Sequence, residues 1–128
     1  MVKDALPAHF RSVRDRFPKV MAALDELGKA ARQQGPLDTK TAHLIQLAAS
    51  AAIQSEGAVH SHVQRATAAG ATPEEIYHAI VLLVSTMGFP RVAAALSWVD
   101  DVLTTEDRGS PPQRTPAGHG SKPRKRRT

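Results

Sequence analysis

The stretch Ala71-Thr72-Pro73-Glu74-Glu75 constrains the fold of this chain more than any other. Thr72 supplies the hydroxyl that an N-cap needs. Pro73 follows at the first helical position, where a missing N–H is no loss, and Glu75 stands three residues after the cap to close a capping box. Two acids in the first turn also suit the positive end of the helix dipole. Just upstream, Gly70 is the residue type that closes a helix. One apolar run enters this region from Leu44 and another leaves it at Ile76, so the pattern is of helices meeting at a sharp corner.

The flanking sequence continues in the same style. Phe10, Val13 and Phe17 recur at helical spacing after Pro7, and Pro18 begins a new element. In that element Val20, Met21, Leu24 and Leu27 line one face, with Asp25, Glu26, Lys29 and Arg32 elsewhere. Gly35-Pro36 ends it, and the two segments form either separate helices or one kinked helix. Asp38 is the expected N-cap of a third helix, TAHLIQLAASAAIQ, whose lack of a broad polar face predicts a central or subunit-facing position. Ser55-Glu56-Gly57 interrupts or bends it, and a further helix runs from about Glu56 to Ala69. The helix that starts at Pro73 is expected to run unbroken to Gly88. Pro90 opens the last one, striped by Val92, Leu96, Val99 and Leu103, with Asp100 and Asp101 toward solvent. The periodicity fades near Thr104.

Composition agrees with an all-α domain of five or six helices. Apolar residues make up 41% of the 128-residue chain but aromatic residues only 4%, so the core is built from Ala, Leu, Val and Ile, which suit close helix packing better than a sheet. The formal charge of +5 belongs to the end of the chain. Arg108, Arg114, Lys122, Arg124, Lys125, Arg126 and Arg127 are basic, and residues 108–128 contain no acid, which leaves the remainder slightly acidic. The expected division is an N-terminal helical segment over 1–17, a domain over 18–105 and a disordered basic tail over 106–128. The tail has the charge to meet nucleic acid or an acidic surface, but no aromatic residue to stack on bases, and a solvated tail is the expected reading. No apolar run reaches the length of a membrane span and no signal core is visible, so a cytoplasmic protein is expected. There is no cysteine, which removes disulfides, thiolate ligands and thiol redox chemistry from this chain.

The run from Leu37 and Lys40 through His62, Gly70, Thr72-Pro73-Glu74-Glu75-Ile76 and Gly88-Phe89-Pro90 to Ala93-Ala94-Ala95 resembles the carboxymuconolactone decarboxylase family, which includes the AhpD-like alkylhydroperoxidases. The likeness covers roughly residues 18–103. It implies an AhpD-like fold around a central helical hairpin, assembled as a homotrimer or homohexamer with sites near subunit contacts. AhpD-like members carry a CxxC pair, a His four residues later and a Glu twelve residues before the first Cys. On this chain those positions fall on Ser55, Ala58, His62 and His43, so only the histidine is kept. Peroxide reduction needs one thiolate to attack and a second thiol to resolve, and a peroxidase function would be inherited here by name only. The decarboxylase branch also lacks the cysteines, so the resemblance leaves open acid–base lyase chemistry on a small carboxylate or lactone. The alternative is a non-catalytic oligomeric member.

Decarboxylation leaves carbanion character that an acid must quench, and a cation should hold the substrate carboxylate. His62 is the leading candidate, with Glu56, His60, His43 and Ser55 as further catalytic candidates and Arg65 and Arg91 as substrate-binding ones. Ser55, Ala58 and His62 share a helix face, whereas His60 and His62 point in different directions. His43 either replaces the family glutamate or is a core histidine. Ser55, His62 and Glu56 are hydrolase residue types without a nucleophile-elbow context. His43, His60 and His62 match no standard metal spacing, so neither metal nor cofactor is expected. Met87 and Trp98 are expected in the core or an interface.

Overall fold

A computed structural model describes residues 8–107. The tail beyond them, with the charge run assigned to it, and the first seven residues lie outside the described residues. Helices α1 (Ala8–Arg16), α2 (Pro18–Gln33), α3 (Thr39–Ala52), α4 (Glu56–Ala68), α5 (Pro73–Val81), α6 (Val84–Met87) and α7 (Phe89–Asp107) follow in order, and among the described residues there is no strand. None of these helices is long and apolar enough to cross a membrane.

The caps form as the sequence requires. The Asp38 carboxylate accepts from the Thr41 N–H at 2.7 Å. Thr72 accepts from the Glu75 N–H at 3.1 Å while the Glu75 carboxylate accepts from the Thr72 N–H at 3.0 Å. Glu75 also pairs with Lys40 at 2.9 Å, which ties the start of α5 to the start of α3. Helix α4 ends in a Schellman pattern: the Ala71 N–H reaches the Ala66 carbonyl, and Gly70 takes φ +95°. Helix α3 ends the same way, with the Ser55 N–H on the Ser50 carbonyl, but here Gln54 occupies the left-handed position at φ 58°. The break therefore falls just before Ser55, and Gly57 lies inside α4 rather than between helices.

Two expectations change. The helix from Pro73 does not run unbroken to Gly88. A turn at Leu82 and Leu83 separates α5 from the single turn of α6, where the Leu83 N–H bonds to the Ile80 carbonyl three residues back. The last helix also continues through Asp107, past the point where apolar periodicity fades, because its helical hydrogen bonds need no buried face.

Helices α3 and α4 form the central hairpin, with α7 packed on α4 and α5 packed on α3 and α7. Leu47 and Ala51 of α3, Val59, Val63 and Ala66 of α4, Ile76 and Ile80 of α5, and Val92, Ala95, Val99 and Leu103 of α7 make the core. Met87 and Trp98 pack against its edge, as expected. Each fully buried Leu, Ile or Val contributes about 1.5–3 kcal/mol by leaving water.

Helix α2 departs from this scheme and buries no residue. Its half-buried positions are Met21, Asp25, Gly28 and Arg32, one row at helical spacing. The exposed apolar residues form a neighbouring row, about 90° round the helix: Phe17, Val20, Leu24 and Leu27 are 52%, 58%, 53% and 65% exposed. The helix thus places Asp25 and Arg32 on its half-buried row and leaves four large apolar side chains exposed.

Candidate functional site

Ser55, Ala58, His62 and Arg65 stand at intervals of three and four on α4, so they share one face. Glu56 and His60, four apart, share another. At about 100° per residue, His60 points roughly 160° away from His62. The sequence candidates therefore divide into two groups on opposite sides of one helix.

The first group faces α2 and α3. His43 sits on the buried row of α3, one turn before Leu47, and is 6% exposed. Its ring lies 6.2 Å from that of His62, centroid to centroid, tilted by 43°. The Nδ1 atoms of both rings are buried without a hydrogen-bond partner. Burial first, then Arg65, His43 and Arg32, push the His62 imidazole down to about 4. Burial, Arg32 and Arg65 lower His43 as well. Both rings are neutral at pH 7.

Two arginines, Arg32 of α2 and Arg65 of α4, act on these rings, and Arg14 of α1 and the Asp25 carboxylate stand next to that group. Arg14 grips Asp25 with two nitrogens at 2.6 and 3.2 Å. That pair, with help from Arg65 and Arg32, holds the Asp25 carboxyl below its usual range. Arg65 is drawn down mainly by its own burial, against the pull of Asp25. The result is a pair of buried, neutral imidazoles in a positively biased setting.

The sequence reading named Arg65, His43 and His62 but missed Asp25, Arg32 and Arg14. The signal for the first two was present: Met21, Asp25, Gly28 and Arg32 follow one helical row. It was overridden by the rule that the apolar stripe of a helix faces its own core. Ser55 is the half-buried N-cap of α4, and its side chain makes no cap hydrogen bond. Arg91 is exposed on the first turn of α7.

The second group faces α7. The His60 Nε2 lies 3.1 Å from the Asp101 Oδ2. Glu56 stands one turn before His60 on the same face. Tyr77 of α5 donates its hydroxyl to Asp100 at 2.5 Å. Asp100 and Asp101 are exposed, yet both are engaged by neighbouring helices.

Residues 18–101 match the carboxymuconolactone decarboxylase family. The fold is similar to the crystal structure of the apo form of a carboxymuconolactone decarboxylase family protein from Legionella pneumophila, with 28% sequence identity and a TM-score of 0.62, over 75% of this chain and 86% of that one. None of the curated proteins matches the chain. The matched span runs from Pro18 at the start of α2 into α7 and so takes in the histidine pair, Asp25, Arg32 and Arg65; with its all-helical fold, and without a cysteine, the chain belongs to the carboxymuconolactone decarboxylase family.

Proposed function

We propose that this chain is an acid–base lyase acting on a small carboxylate or lactone, with His62 as the proton carrier and Arg65 as the anion-binding group. The observation that carries this reading is the neutral, unpartnered His62–His43 pair set beside Arg65 and Arg32. Burial and the neighbouring positive charges hold the ring neutral; a carboxylate entering next to His62 offsets the charge contribution and favours the charged form. The ring takes a proton from solvent as the substrate binds. The substrate's C–C bond to the carboxylate then breaks, CO₂ leaves, and the electron pair passes into a conjugated carbonyl. The imidazolium returns its proton to the substrate carbon. The negative charge moves from carboxylate to enolate without leaving the site. The arginines favour the reaction to the extent that they meet the enolate oxygen more closely than the carboxylate. His43 assists through the shared proton environment, and Ser55 and Ala58 line the same row.

The test is CO₂ release from unsaturated lactone carboxylates, with His62→Ala and Arg65→Met beside the parent. His62→Ala should lower kcat by about 10²–10⁴, the usual worth of a positioned proton donor. If no small carboxylate binds saturably and none perturbs the His62 imidazole resonances, the enzymatic reading falls and the non-catalytic one replaces it.

A specific observation also favours self-association as a homotrimer or homohexamer: the outward stripe of Phe17, Val20, Leu24 and Leu27. Apolar side chains in a continuous row of this kind mark interaction surfaces. Light scattering of the parent and of Leu24→Glu/Leu27→Glu decides the matter; a monomeric parent would contradict it.

A further inference from the structure

We propose that Glu56, His60 and Asp101 form a binding site for a divalent transition-metal cation of the zinc, cobalt or manganese class, separate from the histidine pair. One ligand atom from each residue, an imidazole nitrogen and two carboxylate oxygens, lies within 4.8 Å of the others. Two of the ligands come from α4, at positions four apart that share a face. The third comes from α7, which packs on α4 through the core. The donors are thus held by two helices fixed against each other, not by a loop.

The spacing fits an ion. Metal–ligand bonds of about 2.1 Å would make the 3.1 Å between the His60 Nε2 and the Asp101 Oδ2 a ligand–metal–ligand angle of about 95°. That is the angle between adjacent positions of an octahedral site. Glu56 closes the third position by a side-chain rotation, and its carboxylate makes no hydrogen bond or ion pair among the described residues. Water would complete the shell, since Glu56 and Asp101 are both exposed. The imidazole selects the class of ion. Magnesium and calcium prefer oxygen ligands alone, whereas one nitrogen with two carboxylates suits zinc, cobalt and manganese. The site faces α7, on the side of α4 opposite His62, so it stands or falls independently of the proposed chemistry.

Calorimetric titration of the full chain with Zn²⁺, paired with the visible absorption of bound Co²⁺, tests the site. The parent should bind one Zn²⁺ per chain. Glu56→Gln and Asp101→Asn should weaken binding by about tenfold or more and His60→Gln further. His78→Gln, an exposed histidine on α5, should leave it unchanged. Because His60 is partly buried, Glu56→Gln decides alone if the His60 variant does not fold. No Zn²⁺ binding up to about 1 mM, or binding that Glu56→Gln and Asp101→Asn leave intact, would overturn the proposal and leave His60 and Asp101 as a simple ion pair.

Discussion

Lowering the pH from 7 to 4.5 should destabilise this protein through its buried imidazoles, and His62→Gln should remove much of that loss. Burial and neighbouring charges push His62 down to about 4 in the folded chain, from its ordinary 6.5 in the unfolded one. Between these values the unfolded chain binds a proton that the folded chain refuses. Stability is therefore full above about pH 6.5 and declines as the pH falls toward 4. At about 1.4 kcal/mol per unit the gap has an upper limit near 3.5 kcal/mol. The ring is partly exposed, and solvent screening reduces this to about 1–2 kcal/mol. His43, lowered for the same physical reasons, adds in the same direction. The carboxyls held low, Asp25, Asp38 and Glu75, lose their contribution only below their ordinary range and so act at more acid pH. Urea unfolding at fixed protein concentration reads the effect. With an m-value of about 1.2 kcal/mol/M, the parent's midpoint should fall by about 1 M across the window from His62 alone. His62→Gln should flatten the curve by that amount. Parallel curves for parent and variant would show that the His62 ring is solvated and that its buried, positively biased setting is wrong.

Other outcomes follow from the same geometry. Arg65→Met removes the charge that most strongly opposes protonation of His62, so NMR titration should show that imidazole's pKa rising, together with a loss of carboxylate binding of about tenfold or more. Ile76→Ala, at a fully buried core position, should cost about 2–5 kcal/mol in chemical denaturation. Thr72→Ala opens the capping box of α5 and should cost about 1 kcal/mol. The double variant Ser55→Cys/Ala58→Cys should acquire thiol oxidation absent from the parent, measured by thiol titration after peroxide. Because His43 stands where relatives have glutamate, it should not gain sustained peroxide turnover.

Much of the fold was readable because short-range chemistry decided it. Thr72 and Glu75, Asp38 and Gly70 act within a turn or two of their own position, and each does in the structure what its residue type demands. The turn at Leu82 was not readable, since it lies in the unbroken apolar run 79–84 with neither Gly nor Pro between 76 and 87 to mark it. The left-handed Gln54 was hidden for a similar reason: its conformation is set by the closing hydrogen bonds of α3, not by its side chain. The candidate site was half legible. Spacing placed Ser55, Ala58, His62 and Arg65 on one face and separated His60 from them. The charges supplied from α1 and α2 depend on which way α2 is turned. The amphipathic pattern fixes that a helix has two sides, but not which side its own chain will cover.

The orientation of α2 would couple the proposed self-association to the proposed anion site. Arg32, whose charge acts on both imidazoles, and Asp25 lie on the same helix as the exposed Leu24 and Leu27. A neighbouring copy seated on that apolar row would also restrain the helix that carries both charged groups. By thermodynamic linkage, if both proposals hold, any factor by which assembly tightens the anion is the factor by which the anion tightens the assembly.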